Sequence, residues 1–198
     1  DPNMQQFAYQ QLAEMGYQGA SVAIQPSTGA IKSMASTPSF DQNALVGEGA
    51  EEAWAELTST EGNPLLNHAT QETLPPGSIF KIITAAAGIE AGYGPESTLT
   101  GAPAITLPNT TTELTNYAGQ ACAGSDAVSL LTAFQYSCNT AFVEMGIDIG
   151  TDALRDTAHA FGIGETYDLG IPTSPGALGD LPDEAALGQS SICLLYTS

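Results

Sequence analysis

Positive charge is almost missing from this sequence: 3 Lys plus Arg stand against 22 Asp plus Glu, a formal net charge of −19 over 198 residues. A field of that sign repels phosphate backbones and anionic lipid, which argues against nucleic acid as a partner. The scarcity makes each basic residue conspicuous. Lys32, Lys81 and Arg155 are the whole set, and a solvated surface position is the ordinary fate of each. Cysteine is sparse as well. Cys122, Cys138 and Cys193 have neither zinc-ligand spacing nor a Cys-x-x-Cys pattern, so zinc binding and thiol redox catalysis are both unsupported. A disulfide between Cys122 and Cys138 stays open; it would close a loop of about 15 residues, and spacing alone does not fix the pairing. No apolar run reaches the roughly 18 residues of a membrane span, and the start shows no charged segment leading into an apolar stretch. No anchor or leader is read here, and a first residue other than Met points to sequence upstream. Nothing calls for a metal or a cofactor.

What is present is apolar material for one core, 42% of the chain. Met4, Phe7, Ala8, Leu12 and Met15 recur at helical spacing and stop at Gly16, predicting a helix over 2–16. Two apolar-rich runs flank Pro26, Ser27, Thr28 and Gly29, which predicts a β-hairpin over 20–35. Residues 37–74 read as a surface connection holding one short helix, 51–57, with the only tryptophan, Trp54. From Pro75, turn residues, a serine, an apolar run and Gly92 predict a helix that is apolar nearly all round and therefore buried. Residues 97–124 read as irregular with a short hairpin. Helices follow over 128–136, 140–149 and 152–161, and beyond Gly164 the chain reads as loop.

The chemistry concentrates at Ser78 and Lys81, three apart at the head of the apolar helix and so on one face. A serine hydroxyl is a weak nucleophile until a neighbour takes its proton, and a lysine can do so only when desolvation lowers its basicity. The neighbours Ile79, Phe80, Ile82 and Ile83 are expected to supply that desolvation. Alone, Ser78 reads equally as a helix cap. A buried amine in a chain with three basic residues is costly unless paired or used, and that favours the functional reading. The second cluster is Ser137, Cys138 and Asn139 at a junction between two helices. There, alternation aims Ser137 and Asn139 one way and Cys138 into the core; by itself it reads as a cap. Ser-x-x-Lys and a Ser-x-Asn triplet belong to one motif set of acyl-serine enzymes.

PPGSIFKIITAAAGIEAG resembles the nucleophile helix of penicillin-binding proteins, and SCNTAF resembles their second motif, in the same order and at about the same distance. GASVAIQPSTGAIKSMASTPSFDQN is similar to the hairpin that opens their transpeptidase domains, and NPLLNHATQETLPPGS to the lead-in to the serine. The resemblance covers residues 1–192 and is nearest to class B enzymes of the actinobacterial type. It implies an α+β, β-lactamase/transpeptidase-like fold: an antiparallel sheet with helices on both sides and a mostly helical subdomain. This chain would hold the N-terminal hairpin and most of the helical part, without the C-terminal strands. It implies that Ser78 attacks a D-alanyl-D-alanine stem peptide, that Lys81 accepts its proton, that Ser137 relays the proton to the leaving amine, and that Asn139 holds Lys81 and the substrate amide. It implies acylation by β-lactams, a place on the outer face of the cell membrane with an anchor upstream, and cell-wall synthesis or division proteins as partners.

Two features depart from that pattern. No Lys-Thr-Gly follows, so the chain taken alone is expected to be inactive, and residues 193–198 read as a tail foreign to the family. His68 stands where relatives carry Arg, which puts a fixed ion pair there in doubt. His159 reads as a surface residue. The resemblance also leaves open a D,D-carboxypeptidase or serine β-lactamase, and a β-lactam sensor without turnover. The hairpin edge and the serine helix are expected to expose apolar surface.

Overall fold

The computed structural model describes residues 1–192; the reading of 193–198 as a foreign tail lies outside them. The chain divides into two units. One comprises Asp1–Thr73 with Tyr167–Ser174, the other Leu74–Thr166 with the described residues from Pro175 onward.

In the first unit, helix α1 (Pro2–Glu14) starts where Asp1 accepts from the backbone N–H of Asn3 and Met4 at 3.0 and 3.2 Å, with Pro2 at the first position. Strands β1 (Gly19–Gln25) and β2 (Ala30–Thr37) pair antiparallel from Gly19↔Thr37 to Gln25↔Ala30, with an irregularity at Ala23/Ile24. Alternation buries Ser33, Ala35 and Thr37 and leaves Val22, Ile24 and Ile31 exposed. Gln5 ties α1 to β2: its amide donates to Met34 O and accepts from Met34 N, both at 2.8 Å, satisfying one residue of the strand edge. Helix α2 (Ala50–Ser59) carries Trp54 and buries no residue. His68 is held between Glu72, 2.8 Å from Nδ1, and Gly62 O, 2.9 Å from Nε2, so a histidine–carboxylate contact occupies the position where an ion pair was in doubt.

Among the described residues the second unit holds four α-helices. A 3₁₀ turn, Gly77–Phe80, leads into α3 (Lys81–Glu90). Gly92 closes it at positive φ, with Gly92 N donating to Ile89 O and Tyr93 N to Gly88 O, the two hydrogen bonds of a Schellman end. The expected helices over 140–149 and 152–161 form one element, α5 (Asn139–Ala160), broken at Gly150 (φ 82, ψ 169). Helix α3 packs on α5 closely enough that a Cβ on Gly88 would strike Met145 Sδ. One helix was not expected: α6 (Glu184–Ser190) lies in the stretch read as loop. Asp183 caps it, accepting from Ala186 N at 2.7 Å, and Ala185 and Leu187 bury their side chains.

Short strands complete this unit. β3 (Thr98–Thr100) pairs with β6 (Ala127–Ser129), and β4 (Ala104–Thr106) with β5 (Glu113–Thr115), the hairpin expected in the irregular stretch. Because 127–129 are used as strand, the helix expected from 128 begins later, as α4 (Leu130–Gln135). The core gathers Leu99, Leu107, Leu130, Phe142, Val143 and Met145 in one cluster and Phe80, Ile83, Leu154 and Leu187 in another. The architecture is α+β, with three two-stranded sheets among the described residues and a mostly helical second unit.

Candidate active site

Lys81 opens α3 with only 2% of its surface exposed. Phe80 and Ile83 are buried beside it, and the Phe142 ring centroid stands 5.7 Å from Nζ. The expectation that Ile79 and Ile82 help to desolvate the amine is corrected: they are 70% and 49% exposed, on an outward stripe that continues to Ile89. That stripe also corrects the expected burial of the helix on every side and shows the apolar exposure expected of it. Helical spacing sends 79, 82 and 89 one way, and 81, 84, 85 and 88 toward α5. Among the described residues no carboxylate pairs with Lys81. Desolvation by burial pushes its pKa from 10.5 down to about 8.

Four oxygens accept from this amine. Asn139 Oδ1 and the Ser137 carbonyl lie at 2.7 Å, Ser137 Oγ at 3.0 Å and Ser78 Oγ at 3.3 Å. The two nearest are carbonyl oxygens and can only accept, so they take two of the amine's hydrogens. The remaining tetrahedral position of Nζ falls to the two hydroxyls. In the ammonium it carries a proton; in the neutral amine it is the lone pair. Thus the neutral form presents its lone pair to Ser78 and Ser137.

Ser137 delivers both a carbonyl and a hydroxyl because of its backbone. It follows the last residues of α4 at φ 55, with Ser137 N donating to Phe134 O and Cys138 N to Ala133 O. This is the same Schellman end that Gly92 makes after α3, built here with a residue that has a side chain. Left-handed backbone is strained for serine by about 1 kcal/mol, and Cys138, bonded to Cys122 in a disulfide, holds the next residue in the core. The expected alternation is found: Ser137 and Asn139 meet Lys81 while Cys138 points to Cys122. Asn139 is the first residue of α5, and its amide orientation is set by Nδ2 donating to Thr115 O at 2.8 Å. Ser78 itself lies exposed on the 3₁₀ turn, open to a reactant while its partner amine is buried. Ser78, Ser137 and Asn139 therefore converge on the amine of Lys81, the fourth predicted residue. His159 is exposed on α5, and Arg155 stands 3.8 Å from Asp152. Sequence reasoning missed Thr115, Asn116 and Thr140, whose part in the site depends on contacts 24 residues apart in the chain.

The family model described as the penicillin binding protein transpeptidase domain matches residues 19–197. The peptidoglycan D,D-transpeptidase PbpA of Mycobacterium tuberculosis is 43% identical over 199 residues, which cover 97% of this chain and 40% of that protein. PbpA of Mycolicibacterium smegmatis is 46% identical over 179 residues, 88% of this chain and 36% of that protein. The chain thus spans less than half the length of these curated relatives. The crystal structure of PBPA from M. tuberculosis aligns with a TM-score of 0.93 at 42% identity, covering 98% of this chain and 47% of that one. Another structure of that protein is a penicillin G acyl-enzyme complex, again with a TM-score of 0.93 at 42% identity. With a domain match over 19–197 and relatives above 40% identity along nearly its whole length, the chain belongs to the penicillin-binding-protein transpeptidase family.

Proposed function

We propose that the protein carrying this chain is a peptidoglycan D,D-transpeptidase with Ser78 as nucleophile and Lys81 as its base. The supporting observation is the amine itself: nearly fully buried, without a counter-ion among the described residues, and directed by two carbonyls so that its fourth position faces Ser78 Oγ. In the neutral form Lys81 Nζ takes the Ser78 hydroxyl proton as Oγ bonds to the carbonyl carbon of the penultimate D-alanine. The developing oxyanion lies against the first backbone N–H groups of the Gly77–Phe80 turn, which no side chain caps. Collapse breaks the C–N bond, and the proton passes from Lys81 through Ser137 to the leaving D-alanine amine. The Ser78 ester is then attacked by an amine of a second stem peptide. The same base takes that amine's proton, the ester C–O bond breaks, and the proton returns to Ser78.

A β-lactam carbonyl takes the place of the D-alanine carbonyl in the first step, and the ring nitrogen, still tethered, is the leaving group. The site faces outward from the membrane, with cell-wall synthesis or division proteins as partners. Asn139 also holds the substrate amide.

Intact-mass analysis after penicillin G treatment of the protein as its cell makes it tests the reading. One adduct is expected, lost in Ser78→Ala; no adduct, or one that survives the substitution, overturns it. A long-lived adduct fits a transpeptidase, whereas rapid hydrolysis would move the assignment to a β-lactamase or carboxypeptidase. The 198 residues contain no Lys-Thr-Gly. Expressed alone, they are expected to acylate at least about 10²-fold more slowly than an intact enzyme, the effect of a missing oxyanion donor.

A further inference from the structure

Resting on that reading, we infer that Asn116 and Thr140 are positioning residues that fix which end of the Asn139 amide faces Lys81.

The orientation matters because the two ends of an amide are opposite in kind. With Oδ1 toward Nζ, Asn139 accepts a hydrogen and leaves the lone pair of the neutral amine to Ser78. With Nδ2 there instead, the amide would donate to that lone pair and occupy the position the Ser78 proton must enter. Lys81 selects the oxygen end only while its amine is protonated, at 2.7 Å; the one bond that distinguishes the two ends in both forms of Lys81 is Nδ2 donating to Thr115 O at 2.8 Å. A carbonyl can select the amide end only if the carbonyl itself is immobile. Thr115 ends β5 of a hairpin with three residues per strand, too short to be rigid by its own ladder.

The next residue supplies the rigidity. Asn116 is 6% exposed and Thr140, which follows Asn139 on α5, is wholly buried. Thr140 N donates to Asn116 Oδ1 at 3.1 Å, and Asn116 Nδ2 donates to Thr140 Oγ1 at 3.1 Å and to Ala102 O at 3.0 Å. The Thr140 hydroxyl donates in turn to Ala102 O at 3.0 Å, and Asn116 N to Pro103 O at 3.1 Å. Two consecutive residues of β5 and its exit, Thr115 and Asn116, thus clasp two consecutive residues of α5, Asn139 and Thr140. Every polar atom of the Asn116 side chain is used, and the network is buried, where such bonds are hardest to break singly. Neither Asn116 nor Thr140 reaches Lys81 or Ser78; both act through Thr115 O on Asn139.

The test measures acylation by a fluorescent penicillin against pH for the protein as its cell makes it. Thr140→Val keeps the shape and removes the hydroxyl; Asn116→Ala cuts the clasp from the other side; Thr140→Ser restores the hydroxyl. The final extent of labelling counts the folded molecules, so the rate constant refers to those alone, and Asn116→Ala carries the test should Thr140→Val not fold. In both disrupted variants the plateau rate constant is expected to fall by about tenfold. The ascending limb of the pH profile moves to lower pH, because an acceptor for the ammonium has been lost. Thr140→Ser returns both to wild type. A merely structural role lowers the labelled amount and leaves the limb in place. Wild-type rate constants and limb in Thr140→Val and Asn116→Ala overturn the inference, as does a fall in rate with an unmoved limb that Thr140→Ser does not repair. Absence of labelling in the wild type is a different result: it overturns the proposed function, and this inference with it.

Discussion

In the unit made of Asp1–Thr73 and Tyr167–Ser174, neither helix fully buries a residue, and the hairpin buries small side chains: Ser33, Ala35 and Thr37. In the other unit, Leu107, Phe142, Met145 and Leu154 are each no more than 1% exposed, and all four proposed catalytic residues belong to that unit. The contrast has a chemical reason. An amine that must stay nearly dry, with acceptors between 2.7 and 3.3 Å, needs walls that cannot shift, and only close-packed bulk supplies them. A hairpin with small residues inside and Val22, Ile24 and Ile31 outside could not hold such a group.

The sharpest test is to remove the same ring from each unit. Phe142 is 0% exposed, packs 6.2 Å from Phe134 and walls the amine. Phe142→Ala should lower the free energy of unfolding by about 4 kcal/mol, while Phe7→Ala, at a position 64% exposed on α1, should change it by no more than about 0.5 kcal/mol. Urea titration of both variants measures this; equal effects would erase the contrast. Next in size is the Cys122–Cys138 disulfide, which spans 16 positions of the second unit. Cys122→Ser with Cys138→Ser is expected to destabilise that unit by about 3 kcal/mol in the chain-entropy model. Trp54, the only tryptophan, sits in the first unit, so its fluorescence transition follows that unit while penicillin labelling follows the other.

What could be read in the sequence was what is local. Helix α1, the hairpin, α2, the serine helix with its closing Gly92 and the Ser78–Lys81 spacing all follow from patterns within one or two turns of chain. Asp183 with Glu184, Ala185 and Leu187 carried the same kind of signal for α6, and the prolines and glycines around it obscured it. The role of Ser137 was half legible. Its place between helices was plain, but that it occupies a helix end where Gly92 and Gly162 stand elsewhere appears only in the backbone. The exposed Ile79, Ile82 and Ile89 show a different limit: composition says that a helix is apolar, not which stripe finds a partner. The clasp of Thr115 and Asn116 on Asn139 and Thr140 had no sequence signal, since it joins chain segments by long-range hydrogen bonds.

A third effect concerns pH. Lys81 has a folded pKa of about 8 against 10.5 unfolded. Between those values the unfolded chain binds the extra proton, so stability rises with pH, by about 3 kcal/mol if the whole interval is crossed. Below pH 8 both states carry the proton and this contribution is gone. The rise is cut short above pH 10, because burial and the hydrogen bond to Asp148 push Tyr93 up to about 12, and an unfolded tyrosine ionises first. Denaturation at pH 8 and pH 10 should show the second unit gaining stability, and Lys81→Met should abolish the gain. A gain of equal size in Lys81→Met would assign the pH dependence elsewhere. Penicillin labelling should rise through the same pH 8 region, since only the neutral amine can take the Ser78 proton.

The smallest effect tests whether the contrast between units extends to their helix ends. Asp1 caps α1 with two backbone N–H bonds, and Asp183 caps α6 with one, at 2.7 Å. A cap is local chemistry, and its loss costs about 1 kcal/mol whatever the helix packs against. The two substitutions should nonetheless differ in consequence. Helix α6 buries Ala185 and Leu187, and Ser191 just beyond it accepts from the Thr84 hydroxyl of α3 at 2.8 Å. Fraying of its first turn in Asp183→Ala should therefore spread to α3, seen as faster amide exchange there. In Asp1→Ala, α1 has no buried side chain to transmit the change, and faster exchange should stop within its first turn. If both substitutions stay equally local, packing density does not govern how far a lost cap is felt, and the difference between the units would be one of burial alone.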